Sequence, residues 1–310
     1  MMAIDLSYII PPVDKSAIKK ELTPERWIRK TNKLENDIYI INHHNAPNVM
    51  REIGRLREIT FALSGGGTGK SMDIDTGDTA DICYDQLIVY SPEDEEIVSG
   101  YRFIDCAKVA ENELYKKHLS TAHYFNFSAQ FINEYLPYTI ELGRSWVQPS
   151  YQPTQNPRKG LFALDNLWDG LGALVMTHKH IQHFYGKVTM YPTYDTQARN
   201  ALLSFMNHFF PDKDGLVTPK NPLEFNKNNA KFIKLIKNAE YKEAHKVLSR
   251  FAKARDESIP PLINQYMSLS ATMKTFGTCV NADFGDVEES GILITIADVY
   301  PEKSERHLTV

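Results

Sequence analysis

The hydrophobic residues of the chain alternate between helical and strand-like spacing. Apolar residues at helical spacing predict helices over residues 46–63, 161–181 and 195–210. Short apolar runs predict strands over residues 86–90, 97–104, 138–147, 183–190 and 291–298. The order of these elements predicts an α/β or α+β fold, in which helices cover the faces of one sheet.

The first part of the chain mixes charge with proline and differs from the rest. We expect residues 1–45 to form an N-terminal arm that wraps a core, and residues 46–310 to form the main domain. A chain of 310 residues is long enough for one large domain or for two smaller ones.

The composition indicates a globular protein, because 42% of the residues are hydrophobic and 24% are charged. The net charge of −4 argues against a dedicated nucleic-acid binder. The three cysteines form no C-x-x-C pair, which favours a reducing compartment. The N-terminus lacks the features of a signal peptide, and no apolar run reaches the length of about 18 residues that would suggest a membrane span. We therefore expect a cytoplasmic protein.

Residues 220–255 differ from the rest of the chain in charge. They contain ten basic and three acidic residues, and so carry a net charge of +7. The spacing of the lysines predicts a pair of amphipathic basic helices, inserted into the fold over residues 220–258. Such a surface is either a solvated face or a docking site for an acidic partner or an anionic membrane.

A glycine-rich loop, SGGGTGKS, spans residues 64–71. It is similar to a phosphate-binding P-loop, which would suggest a nucleotide-dependent kinase. However, Ser64 stands where a P-loop requires glycine, a helix precedes the loop, and an acidic stretch follows it. These departures favour a mobile lid or a linker.

Histidines at positions 178, 180 and 183 could suggest a metal site, but only the last two share a helical face. No carboxylate or cysteine joins them at ligand spacing, so we predict no metal site and expect the histidines to cap the end of a helix.

Acidic residues recur every three or four positions from Asp75 to Asp85. They form either a solvated turn or a negative rim that attracts a cationic substrate such as an amine.

Arg102 lies within an apolar strand, where a charge requires a specific partner. Glu141 and Arg144 are three apart on a strand, so they face opposite sides unless a bulge intervenes. The sequence has no candidate Ser/His/Asp triad or nucleophilic cysteine, which favours direct transfer over a covalent enzyme intermediate.

Four motifs occur in a recognisable order along the chain. They are Arg57-x-x-x-Phe61, Asp78-x-x-Asp81, Gly-Tyr-Arg102-Phe and Glu141-Leu-Gly-Arg144-Ser145. In this order they resemble the acyl-carrier-protein-dependent N-acyltransferases of aminolipid synthesis, the ornithine-lipid and glycine-lipid synthases of the GNAT superfamily. These enzymes are distant relatives of the acyl-homoserine-lactone synthases. The resemblance covers roughly residues 50–300.

The resemblance implies a GNAT-like mixed, twisted sheet flanked by helices, with the basic helices as an insertion. It also implies transfer of a fatty acyl group, with a 3-hydroxyl favoured, from acyl carrier protein to the α-amine of a small amino acid. Glycine is favoured over ornithine. No bound cofactor is implied, because the acyl thioester carried by phosphopantetheine is the donor substrate.

The resemblance also implies roles for individual residues. Glu141 would accept a proton, and Asp78 and Asp81 would position the amine or brace the active-site loop. The arginines would hold a carboxylate, the carrier phosphate or those acids; they are Arg57, Arg102 and Arg144. The remaining expected contacts with substrate are Phe61, Asp85, Ser145, Arg158 and Gly160.

Arg158 and Gly160 lie near the start of a predicted helix, which is a suitable site for a phosphopantetheine phosphate. One motif departs from the family, whose members often have Cys-Asp-His-Leu where this chain has Tyr84-Asp85-Gln86-Leu87. We therefore assign no base at Gln86.

The basic insertion fits the proposed donor, because acyl carrier proteins are acidic. The expected docking residues are Lys231, Lys234, Lys242, Lys246 and Arg250. The same surface could instead contact the inner face of the membrane. The alternative function is a non-catalytic GNAT-like module that binds acyl carrier protein or anionic lipid.

Overall fold

A mixed sheet of eight strands forms the centre of the protein. The computed structural model describes residues 4–152, 155, 157–224 and 230–307. Within these residues the sheet has the strand order β1-β2-β3-β4-β6-β7-β10-β9, and β5 pairs with β8 in a small second sheet. The strands are β1 (Trp27–Lys30), β2 (Asp37–Ile41), β3 (Asp85–Ser91), β4 (Glu96–Asp105), β5 (Phe125–Phe127), β6 (Thr139–Val147), β7 (His183–Met190), β8 (Val217–Pro219), β9 (Lys274–Asn281) and β10 (Val287–Thr295).

Helices cover both faces of this sheet. They are α1 (Lys15–Glu21), α2 (Pro47–Leu63), α3 (Thr76–Thr79), α4 (Tyr115–His118), α5 (Pro157–Thr177), α6 (Thr196–Phe209), α7 (Ala230–Ile236), α8 (Tyr241–Lys253), α9 (Pro261–Met267) and α10 (Pro301–His307). None of the helices in the described part of the chain has both the length and the apolar character needed to cross a bilayer.

Strand β3 shows how the sequence places helices on opposite faces. Successive side chains of a strand point to opposite sides. Leu87 and Val89 therefore join the core on the α5 face, whereas Ile88 and Tyr90 join the core beneath α2. The run is buried almost throughout, as expected for a strand covered on both sides. The predicted α/β fold, a mixed sheet flanked by helices, is confirmed.

The parallel pair β6 and β7 opens partway along its length. The two strands pair from Thr139 with His183 as far as Leu142 with Gly186. Both strands continue beyond this point, but β6 goes on pairing with β4 and β7 with β10. The sheet is therefore split between β6 and β7 beyond Leu142 and Gly186, and the candidate active site lies at this split.

Residues 27–41 belong to the sheet, although the sequence predicts residues 1–45 to be an arm around the core. Strand β2 pairs with β3 over five residues, and Ile38 and Ile41 are fully buried. Alternating burial in a short strand flanked by prolines and charges gives a weak sequence signal, which explains the difference.

The basic segment forms two helices, α7 and α8, as predicted. Phe232, Ile236, Ala244 and Leu248 pack into the same core as the sheet, so the insertion is part of the domain. Its basic side chains are on the outer surface. Lys234, Lys242, Lys246 and Arg250 are exposed, and the side chain of Lys231 lies outside the described residues.

Candidate active site

A buried cluster of ion pairs lies between α2 and the strands β4 and β6. Arg57 of α2 is fully buried, and its Nε donates to Asp73 Oδ2 at 2.9 Å. Its Nη1 and Nη2 lie 3.3 and 3.2 Å from the two oxygens of Asp78. Both aspartates are themselves fully buried, so Arg57 compensates two carboxylates that water does not reach.

Two further arginines complete the cluster. Arg144 Nε donates to the same Asp73 oxygen at 2.8 Å. Arg102 Nη1 lies 2.7 Å from Asp75 Oδ2 and 3.5 Å from Asp78 Oδ2. Burial disfavours the Asp73 carboxylate, but Arg144 and Arg57 outweigh burial and hold the pKa of Asp73 at about 2. Three guanidinium groups thus face three carboxylates, and the cluster is neutral as a whole.

A β-bulge in β6 brings Glu141 and Arg144 into one site. Arg102 pairs with Gly143, whereas Gly100 pairs with Trp146, so β6 contains one more residue than β4 across this interval. Arg144 has a φ of +46°, in the left-handed region that such a bulge uses. The β-bulge that the sequence analysis named as a condition for Glu141 and Arg144 to share one side is therefore present in β6.

Glu141 pairs with Tyr185, one residue before the last pair of β6 and β7, and it is 1% exposed. The Tyr84 hydroxyl donates to one carboxylate oxygen and the Thr121 hydroxyl donates to the other. Burial raises the pKa of Glu141 above its usual value, although the two hydroxyl donors oppose the shift. A carboxylate with a raised pKa is suited to accept a proton near neutral pH.

Two cavities meet beside Glu141. The first, the apolar cavity, has a volume of about 530 Å³ and is walled by Phe61, Trp146, Val147, Tyr191, Leu262 and Ile263, among others. Its size is typical of a small-molecule site, for which about 300–1,000 Å³ is usual. Glu141, Ser145 and Gly160 also line it.

The second cavity, the polar chamber, has a volume of about 270 Å³. Lys70, Asp75, Tyr84 and Lys117 are among its lining residues. Four residues line both cavities, which therefore join at this point: Arg102, Ser120, Arg144 and Phe284. The arrangement provides an apolar site, which is lined by Glu141, and a polar site that shares part of its wall.

A second buried ion pair forms part of the wall between the two cavities. Lys187 Nζ lies 2.6 Å from Glu289 Oε2 and 4.1 Å from the centre of the Tyr124 ring. Asn281 Nδ2 donates to the same glutamate oxygen at 3.2 Å. The sequence analysis missed both members of the pair. The charge of Lys187 within an apolar strand was an available signal, the same signal that singles out Arg102, whereas Glu289 follows another glutamate and precedes the predicted strand 291–298.

The structure brings together most of the predicted site residues, but not all. Glu141, Arg102, Arg144, Phe61, Ser145 and Gly160 line the cavities. Arg57 and Asp78 lie beneath them in the ion cluster. The guanidinium of Arg57 therefore holds the acids, which is one of its expected roles.

Two predicted residues lie elsewhere. Asp81 is exposed and is not part of the cluster. Asp85 accepts a hydrogen bond from Asn42 at 3.0 Å and pairs with Lys108 at 3.3 Å. The side chain of Arg158 lies outside the described residues. The acidic repeat is broken because α3 ends at Thr79, so helical spacing does not continue to Asp81.

The glycine-rich loop binds a carboxylate of the protein itself. Glu58 is fully buried and accepts hydrogen bonds from the backbone of Thr68 and Gly69, at 3.0 and 2.8 Å, and from the Thr68 hydroxyl at 2.7 Å. The loop follows α2, as the sequence predicts, and it is followed by irregular chain. Its amides therefore hold an internal anion in place of a phosphate, which disfavours the kinase interpretation.

The predicted role of the histidines is supported at one position. His178 Nδ1 lies 3.2 Å from the carbonyl oxygen of Leu174 at the end of α5. Over the described ranges of the chain, no group of three or more His, Cys, Asp or Glu side chains is arranged to hold a metal ion.

Comparison with known proteins places the chain in a family. The model of the acetyltransferase (GNAT) domain matches residues 56–159, which include β3, β4 and β6. Over 300 residues the chain is 50% identical to a glycine N(alpha)-acyltransferase of Phocaeicola vulgatus and 52% identical to one of Bacteroides thetaiotaomicron. These alignments cover 97% of this chain, and 92% and 89% of the two relatives. The chain belongs to the glycine N(alpha)-acyltransferase family.

The protein is therefore an N-acyltransferase, and the family resemblance carried by the four motifs is confirmed. The prediction of an enzyme is confirmed over the alternative of a non-catalytic module. Two solved structures are also similar. An N-acyl amino acid synthase from uncultured soil microbes has 11% identity and a TM-score of 0.40, with 88% of this chain and 95% of that chain covered. A CoA-dependent acyl-homoserine lactone synthase has 17% identity and a TM-score of 0.33, with 50% and 67% covered.

Proposed function

We propose that this N-acyltransferase moves a 3-hydroxylated fatty acyl group from acyl carrier protein to the α-amine of glycine. The observation that carries the proposal is the junction of the apolar cavity and the polar chamber beside Glu141. An acyl chain requires an apolar site of several hundred Å³, and an amino acid requires a polar one. The two substrates would meet at a buried carboxylate with a raised pKa.

The reaction requires few groups. The amine nitrogen attacks the carbonyl carbon of the thioester, a C–N bond forms and the C–S bond breaks. Glu141 accepts a proton from the nitrogen, directly or through one water molecule, and that proton returns to the leaving thiolate. Backbone N–H groups of the bulge at Gly143–Ser145, where β6 no longer pairs with β7, would bind the oxyanion. Holding both substrates in line supplies much of the rate.

The apolar cavity also extends toward the start of α5. Gly160, in the first turn of this 21-residue helix, lines the cavity. A helix N-terminus favours an anion, because its first N–H groups are unpaired and the helix dipole is positive there. We infer that the phosphate of phosphopantetheine binds at this end, so that the thioester reaches Glu141 through the cavity.

The basic helix α8 supports an acidic carrier as the donor. Lys242, Lys246 and Arg250 are exposed on it. Soon after this helix the chain reaches Pro260 and Pro261, which line the apolar cavity. A carrier bound on α8 would thus lie close to the segment that borders the cavity. We expect a cytoplasmic enzyme. The alternative role of the basic surface of α8 is contact with the inner face of the membrane.

Product analysis tests the substrates. Purified protein is incubated with 3-hydroxyacyl carrier protein or with the matching acyl-CoA, and with glycine or ornithine. We expect N-acylglycine from the carrier-bound donor, and mass spectrometry of lipids from cells expressing the protein should show the same product. Equal rates with acyl-CoA would contradict the proposed donor, and N-acylornithine as the main product would contradict the proposed acceptor.

Charge reversal tests the docking surface. The triple variant Lys242→Glu, Lys246→Glu, Arg250→Glu should raise the KM for the carrier, and added salt should raise the wild-type KM in the same way. A control variant reverses three exposed lysines elsewhere, Lys20, Lys33 and Lys179. Equal effects in both variants would contradict docking on α8. An unchanged KM with lost binding to phosphatidylglycerol vesicles would assign the surface to the membrane.

A further inference from the structure

The lining of the polar chamber carries an excess of positive charge. Four cationic side chains line it, Lys70, Arg102, Lys117 and Arg144, against two anionic ones, Asp75 and Asp283. The ion cluster that contains Arg102, Arg144 and Asp75 is neutral as a whole, so the remaining charged residues, Lys70 and Lys117 against Asp283, give the lining a net charge of +1. A small anion is therefore attracted into the chamber.

The two arginines are already compensated, whereas the lysines are not. Arg102 and Arg144 bind the aspartates of the ion cluster. Neither Lys70 nor Lys117 forms an ion pair with any residue that the structure describes. Both side chains are exposed, so their ammonium groups can turn toward a bound ligand without breaking an internal contact.

The position of Lys70 is fixed by the loop that carries it. Buried Glu58 binds the backbone of Thr68 and Gly69, and it also accepts a hydrogen bond from the Tyr8 hydroxyl at 3.1 Å. Thr68 and Lys70 both line the chamber. The loop therefore holds a cation at the chamber, and α4 supplies the second cation, Lys117, from a separate part of the chain.

We propose that Lys70 and Lys117 bind the carboxylate of the amino acid acceptor. This inference rests on the proposed function and names the residues that recognise the acceptor. An amino acid held by its carboxylate in the chamber can direct its amine toward the junction at Arg102 and Ser120, beside Glu141.

Glycinamide provides a direct test, because it keeps the amine of glycine and lacks the carboxylate. We would measure kcat/KM for both acceptors with the wild type, Lys70→Met, Lys117→Met and the double variant. Each substitution should raise the KM for glycine about tenfold, the size expected for loss of a charge-assisted hydrogen bond at a partly exposed site. The rates with glycinamide and the KM for the acyl donor should change less than twofold.

Lys116→Met is the matched control. Lys116 precedes Lys117 on the same helix, but it pairs with Glu113 and does not line the chamber. It should leave the ratio of glycine to glycinamide unchanged. If the double variant keeps the wild-type ratio, or loses activity equally with both acceptors, the inference is wrong.

The outcome also separates this inference from the proposed function. If the wild type does not acylate glycine, the proposed acceptor is wrong. The same comparison with the amino acid that it does acylate, and the amide of that amino acid, then decides whether the two lysines bind a carboxylate.

Discussion

The buried ion cluster makes a quantitative prediction about Arg57. Replacing it by methionine keeps the volume roughly constant but leaves Asp73 and Asp78 without their shared partner. Both carboxylates are fully buried. Removing one member of a buried ion pair typically costs about 3–5 kcal/mol, because an uncompensated charge remains.

We expect Arg57→Met to cost an amount within that range. Asp73 would keep Arg144, and Asp78 would keep Arg102 at 3.5 Å and a hydrogen bond from Gln86 at 3.0 Å, so neither carboxylate loses every partner, but the cluster as a whole is left with one uncompensated negative charge. The loss is still large, because a domain is typically stable by only about 5–15 kcal/mol. The measurement is urea denaturation at neutral pH, followed by tryptophan fluorescence.

Arg51→Met on the same helix is the control, because Arg51 is exposed. It should change the free energy of unfolding by less than about 0.5 kcal/mol. Adding Asp78→Asn to Arg57→Met should restore part of the lost stability, since it removes one uncompensated charge. If the two arginine variants differ by less than 1 kcal/mol, on the order of an exposed pair, the cluster does not stabilise the fold as argued.

Two further predictions concern the environment of Glu141. Glu141→Gln should lower kcat by about two to four orders of magnitude, because an amide cannot accept the proton. The thermal unfolding temperature should stay unchanged. Near-normal turnover in this variant would show that Glu141 is not the proton acceptor. Tyr84→Phe and Thr121→Val each remove a hydrogen bond to the charged carboxylate, so each should raise the pKa of Glu141 and move the acidic limb of the kcat–pH profile to higher pH. An acidic limb that stays in place in both variants would show that Glu141 is not the group that titrates.

The sequence predicts the strands and helices of this fold well, because the strongly patterned segments are buried on both faces. Strand β7 matches its predicted bounds, and α2 and α6 differ from theirs by one residue at one or both ends. The short strands β1 and β2 are missed because they are only four and five residues long, too short for a periodic pattern. Their place in the sheet is decided by pairing with β3, which local periodicity does not reveal.

The site is only partly predictable, since its geometry depends on contacts between distant segments. The spacing of Glu141 and Arg144 allows two arrangements, and only the pairing of β6 with β4 selects the bulge. Lys187 and Glu289 come together through the pairing of β7 with β10. Asp73 lies in an irregular segment, where no periodicity marks it as a partner of Arg57.

The neutrality of the ion cluster has a consequence for Glu141. Nearby Arg102 and Lys187 act to lower the pKa of Glu141, and burial acts to raise it. The raised pKa therefore depends on the aspartates that compensate Arg102. Asp75 is the accessible one, with 40% of its side chain exposed, and it binds Arg102 at 2.7 Å.

Asp75→Asn should consequently lower the pKa of Glu141 and move the acidic limb of the kcat–pH profile to lower pH. This shift is opposite in sign to that expected for Tyr84→Phe, although both residues lie near the same carboxylate. The fold should tolerate the change, because Arg102 retains Asp78 at 3.5 Å. Shifts of the same sign in the two variants would mean that general disturbance of the site, and not the charge balance around Arg102, sets the proton affinity of Glu141.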